Sequence, residues 1–205
     1  MRETESSRNL YEIAEPQYGF FTTKQAKEAG YDESKHAYHV RAGNWIREHR
    51  GIYRLRNFPS PERPDLMLWF LWSRDRNDVP QGVYSHDTAL ALYDLSDVNP
   101  AKLHMTVPRG FRRNSAIPKA LVLHKADLVP TDSQDLLGVR ATTALQTVAD
   151  LIAAGKTDES ILKQAITEGL ARGLITRRQI ERAKLPPAVR AQIDAFVEES
   201  ANAKR

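Results

Sequence analysis

The 205-residue chain predicts an α+β protein: an N-terminal winged helix-turn-helix followed by a mixed α/β region that ends in several helices. Three observations predict it. The first 55 residues read as helix, short helix, turn, helix and hairpin, in that order. A proline-rich stretch, Asn57-Phe58-Pro59-Ser60-Pro61-Glu62-Arg63-Pro64, interrupts the chain immediately afterwards. Beyond it two β-rich runs give way, from Thr142 onward, to a pattern that is helical throughout.

The elements follow one by one. Residues 5–15 set Leu10, Ile13 and Ala14 on one helical face, closed by Pro16 and Gly19. Thr22 followed three residues later by Gln25 is a capping-box pattern, and it opens a helix of about two turns that Gly30 stops. Glu33 to Ala42 predicts a third helix, ended by Gly43. Its Ala37 and Val40 are assigned to the inward face, which at about 100° per residue turns Lys35, Tyr38, His39 and Ala42 outward, with His36 and Arg41 flanking them. From Trp45 to Leu55, β-branched and aromatic residues on either side of a polar turn at Gly51 predict a hairpin whose core is Trp45, Ile52, Tyr53 and Leu55.

The prolines make a stiff connection, so the domains are predicted as 1–58 and 65–205. Asp65–Trp72 reads as an apolar helix, and Ser85 caps another that carries Ala89, Leu90, Leu92 and Tyr93. Leu103–Val107 and Ala120–His124 read as strands, with Leu136–Arg140 as a third. Helices are predicted at 142–153, 158–171 and 176–184, and after Pro186-Pro187 to about residue 201.

Composition narrows the function. Hydrophobic residues make up 41% and charged ones 27%, which is globular, and no apolar run approaches the roughly 18 residues of a membrane span. The charged start of the chain has no leader-like apolar core, which predicts a cytoplasmic protein. With no cysteine there is no thiolate metal site, cluster or nucleophile. His36 and His39 lack carboxylates at ligand spacing, so neither a metal nor another cofactor is expected. Ser85, His86 and Asp87 are consecutive and cannot form a triad by sequence alone, and no nucleophile elbow is present. Asp127, Asp132 and Asp135 lack the carboxylate-and-lysine pattern of a metal-dependent nuclease, so no enzymatic activity is expected.

The net charge of +4 conceals two basic blocks. Residues 35–56 hold six basic residues against one acidic, and residues 101–125 hold six against none, while the rest of the chain is acidic or neutral. Such concentration suits local neutralisation of phosphates. A helix fits the major groove of duplex DNA, so Lys35, His36, Tyr38, His39 and Arg41 are the predicted contacts from the third helix. Arg47, His49, Arg50 and Arg54 are those from the hairpin, which can reach phosphates or a narrow minor groove. The second block offers Lys102, Arg109, Arg112, Arg113, Lys119 and Lys125. An alternative reading makes the chain a protein-binding adaptor, with the basic 102–125 surface meeting an acidic partner and no specific DNA binding. A winged helix reading inverted repeats can act as a dimer or as two cooperating monomers, and no heptad seam decides between them; a monomer or weak dimer, cooperative on DNA, is the expectation.

The segment TTKQAKEAGYDESKHAYHVRAGNWIREHRGIYRL, above all its ending RGIYRL, resembles the N-terminal domain of AbiEi-type antitoxins of type IV toxin–antitoxin (abortive infection) systems. The likeness continues through YSHDTALALYDLSDVNPAKLHMTVPRGFRR and VRATTALQTVADLI. It implies a bimodal phage-defence protein: a winged helix that represses its own operon, with 34–42 as the reading helix and 45–55 as the wing, and a C-terminal domain that counteracts a nucleotidyltransferase-like toxin. The basic loop at Arg109, Arg112 and Arg113 would then serve antitoxin function or further DNA contact. The chain departs from the family at Ala37, where relatives commonly carry a larger apolar residue.

Overall fold

A computed structural model describes residues 2–202, with side chains over residues 5–201. The chain forms two compact units, one running to Gly82 and including Leu137–Val139, the other made of Val83–Leu136 and the residues from Arg140 onward.

The first unit is a winged helix-turn-helix. Helix α1 (Arg2–Ala14) ends in a 3-10 turn, and Tyr18 and Gly19, both at positive φ, swing the chain into strand β1 (Phe20–Thr22). Helices α2 (Thr23–Glu28) and α3 (His36–Arg41) follow, then the hairpin β2 (Trp45–His49) and β3 (Ile52–Leu55). The sheet order is β1-β3-β2, all antiparallel, with Phe20 opposite Arg54 and Trp45 opposite Leu55. β1 was not predicted: it has three residues, all buried, so it shows no alternation for a sequence pattern to find. The predicted third helix is a 3-10 turn at Glu33–Lys35 followed by α3. Leu10, Ala14, Phe21, Ala26, Ala29, Trp45 and Tyr53 form the core. Helix α4 (Pro64–Trp72) packs on β1 and β3.

The second unit carries a five-stranded sheet in the order β6-β5-β4-β8-β7. Its strands are β4 (Val83–Tyr84), β5 (Leu103–Val107), β6 (Leu121–Lys125), β7 (Ser133–Leu136) and β8 (Val139–Thr142). β5 and β6 are parallel, and β4 runs parallel to β8 but antiparallel to β5. The single strand expected at Leu136–Arg140 is therefore a turn between two strands, with Leu137 and Gly138 both at positive φ. Helices α5 (His86–Leu92), α6 (Ala144–Ala154), α7 (Glu159–Ala171), α8 (Arg177–Arg182) and α9 (Pro187–Asn202) build the core around Leu90, Val148, Ile166 and Ile193. Where α7 runs past Ile175, a Cβ at Gly169 would stand 2.8 Å from the end of the Ile175 side chain, so a larger residue there would force Ile175 to shift.

Ser85 stands at the N-cap of α5, but its hydroxyl does not cap. It meets His86 Nδ1 at 2.9 Å and accepts from the Thr106 hydroxyl at 2.8 Å. His86, at φ +51°, stacks on His124 with ring centroids 3.6 Å apart. His124 Nε2 and His104 Nδ1 stand 3.2 Å apart, a hydrogen bond that needs at least one of the two rings neutral. Burial, then the neighbouring His124 and His104, push the His86 imidazole down to about 4. Among the described residues no cluster of histidines and carboxylates is arranged to hold a metal ion.

Candidate nucleic-acid interface

The helix-turn-helix is set by local polar chemistry. The Thr22 hydroxyl accepts the Gln25 N–H at 3.2 Å and the Gln25 side chain accepts the Thr22 N–H at 2.9 Å, the reciprocal box read from the sequence. The Gln17 side-chain amide donates to the carbonyls of Ile13 and Phe20, tying the end of α1 to β1. Before α3, Asp32 accepts from the backbone N–H of Ser34 at 2.8 Å and from its hydroxyl at 2.6 Å, and these bonds hold its carboxyl below the usual carboxylate range.

α3 is rotated relative to the sequence reading. His36 and His39 are 3% and 7% exposed, whereas Ala37 is exposed. His39 stacks on Trp45 at 4.6 Å, and His36 meets Trp45 and Tyr53 edge-on at 5.2 and 5.8 Å. Imidazoles fill the position expected for an apolar residue because their ring faces pack against aromatic neighbours while a nitrogen finds a polar partner, Asn44 for His39 and the Tyr31 carbonyl for His36. The outward face is Lys35, Ala37, Tyr38, Arg41 and Ala42, with Arg41 near its centre rather than on its flank. Tyr38 is 57% exposed.

The wing divides in the same way. Arg47 and Arg50 are exposed and make no ion pair among the described residues. Arg54 is committed to Glu48 at 2.7 Å and lies over the Phe20 ring, and His49 packs edge-on against Trp69 at 5.5 Å. Of the nine predicted DNA contacts, Lys35, Tyr38, Arg41, Arg47 and Arg50 therefore project outward, whereas His36, His39, His49 and Arg54 are held by neighbours.

Residues that the sequence did not mark support the wing. Arg74 donates to the Gly51 carbonyl at 3.2 Å and pairs with Asp78 at 2.8 Å, and Asp78 also accepts from the Thr22 hydroxyl. Lys24 donates to the Asn77 carbonyl at 3.1 Å. These contacts span some fifty residues of sequence in the case of Lys24 and Thr22, beyond the reach of any local pattern.

In the second unit, Lys102 precedes β5, Arg109, Arg112, Arg113 and Lys119 lie between β5 and β6, and Lys125 ends β6. All but the half-buried Arg113 are exposed. Arg109 is partly compensated: Asp127 accepts its backbone N–H at 3.0 Å and stands 3.7 Å from its guanidinium.

Residues 8–56 match the family model described as transcriptional regulator, AbiEi antitoxin. The N-terminal segment is thus similar to AbiEi antitoxin domains. The AbiEi match spans α1 through the wing, so it covers the outward face of α3 and both exposed wing arginines. The crystal structure of the Rv2827c protein from Mycobacterium tuberculosis is similar over 96% of this chain and 77% of that one, at 14% identity and a TM-score of 0.60, and it shares the fold. No curated protein matches the sequence. No helix among the described residues is long and apolar enough to cross a membrane.

Proposed function

We propose that the AbiEi domain binds duplex DNA at the operator of its own operon and represses it, with residues 1–58 as the reading module. The observation that carries this reading is the face made by Lys35, at the start of α3, with Tyr38 and Arg41 on it, opposite the buried His36 and His39 and accompanied on the wing by Arg47 and Arg50. The helix would enter the major groove and the wing would take adjacent phosphates. Residues 65–205 act without catalysis as an antitoxin against a nucleotidyltransferase-like partner, using Lys102, Arg109, Arg112, Arg113, Lys119 and Lys125 as a second basic surface. A monomer or weak dimer binds the operator cooperatively.

The test is fluorescence anisotropy with a labelled duplex covering the DNA upstream of the operon. Replacing Lys35 and Arg41 together with Ala lowers operator affinity by about tenfold or more and reduces the salt slope by about 2. Unchanged affinity in that variant sinks the interface and favours an adaptor that meets an acidic protein through the second surface.

A further inference from the structure

A cleft of about 350 Å³ opens within the N-terminal unit, beside the C-terminal end of α3. That is the lower end of the range in which small molecules are bound. Four aromatic side chains line it: Tyr11 from α1, Tyr31 from the turn before α3, Trp45 from β2 and Phe58 after β3. Tyr31 and Trp45 meet edge-on at 5.0 Å, and Tyr11 and Phe58 stand tilted at 5.9 Å. Tyr11 is 47% exposed, an aromatic surface left open to water.

The walls are fixed in place. Phe58 sits so close to Gly19 that a Cβ there would approach its side chain to 2.6 Å. The Arg56 N–H donates to the Asn44 carbonyl at 3.1 Å, and the Asn44 N–H donates to the His39 carbonyl at 3.0 Å. The polar groups converge on one charge sign: no carboxylate lines the cleft, and the Arg56 guanidinium is its one permanent charge. Arg56 is exposed and makes no ion pair among the described residues. Aromatic walls favour a planar ring, and a guanidinium without a counter-charge favours a carboxylate, which it can hold with two parallel hydrogen bonds.

We propose that this cleft binds a small planar aromatic carboxylate, its ring against Tyr11 and Phe58 and its carboxylate on Arg56. His39 and Asn44 line the same cleft, so the bound molecule touches both the buried face of α3 and the residue that follows its C-terminal turn. The site stands independently of what α3 reads.

The test is a titration of the full-length, ¹⁵N-labelled chain with benzoate, 4-hydroxybenzoate and indole-3-carboxylate, followed by backbone amide shifts. At least one probe moves the amides of Asn44, Arg56 and Phe58 along a saturable curve with a Kd on the order of 1 mM or tighter. Arg56→Gln weakens that binding about tenfold, whereas benzamide, which lacks the charge, binds more weakly than benzoate and is indifferent to the substitution. Because Arg56 is exposed, the variant keeps the fold, and its unperturbed spectrum provides the control. No saturable shift with any of the three acids overturns the site; benzamide binding as tightly as benzoate, or Arg56→Gln binding the acids unchanged, overturns the role of Arg56. No DNA enters the experiment, so its outcome is separate from that of the operator test.

Discussion

Tyr38 projects from α3 while the next residue, His39, lies under it against Trp45. The two substitutions should therefore separate. Tyr38→Ala leaves stability within about 0.5 kcal/mol and weakens operator binding, whereas His39→Ala removes a stacked ring from the core and costs about 2 kcal/mol, both read by urea unfolding. Two other side chains make stability depend on pH. His86 is held neutral by burial and by its histidine neighbours, with its value depressed from 6.5 to about 4. Its folded-state preference for the neutral ring is fully present above about pH 6.5 and is lost as pH falls towards 4, amounting to about 3 kcal/mol. His86→Asn, whose side chain tolerates the positive φ, flattens that acid limb in urea titrations. Asp150 works in the opposite direction: burial raises its carboxyl from 3.8 to about 6, against the bond donated by Gln146 at 2.7 Å. Stability is therefore present below about pH 3.8 and lost as pH rises through 6. Asp150→Asn stabilises the protein at pH 7 by up to about 3 kcal/mol and leaves it unchanged at pH 3.

At the scale of elements, what could be read from the sequence was what short-range chemistry decides. The Thr22–Gln25 box, the hairpin around Gly51, the apolar helix before Trp72 and the C-terminal helices all announce themselves within a few residues. The facing of α3 did not, because His36 and His39 count as polar in a periodicity yet pack as aromatic rings once Trp45 is beside them. β1 and β4 were missed for a related reason: strands of three and two residues owe their existence to partners elsewhere in the chain. Nor did the segment Arg74–Asp78 carry any sign that it meets Thr22 and Gly51. That contact has a measurable consequence. Asp78→Asn keeps the backbone conformation at φ +69° but removes the charge paired with Arg74, which is mostly buried. It should cost about 2 kcal/mol and accelerate hydrogen exchange in β3 more than in α1.

Across the whole molecule, positive charge is gathered in two places of unlike geometry: a helix with its hairpin, and the border of a sheet. If the first reads DNA and the second meets a protein, their substitutions must not interchange. Reversing Arg109, Arg112 and Arg113 to Glu should impair neutralisation of the toxin in growth rescue while leaving the salt slope of operator binding within about 0.5 of its original value. Full rescue by that variant would remove the loop from the antitoxin surface. The place of β6 at the border of its sheet adds a further consequence. Leu121-Val122-Leu123 is a β-prone run whose outer backbone edge has no neighbouring strand in the sheet, and Pro118, Lys119 and Lys125 stand around it as gatekeepers against strand-to-strand aggregation. If the lysines around this edge also keep copies of the chain apart, a polyanion that screens them would at the same time unlock self-association.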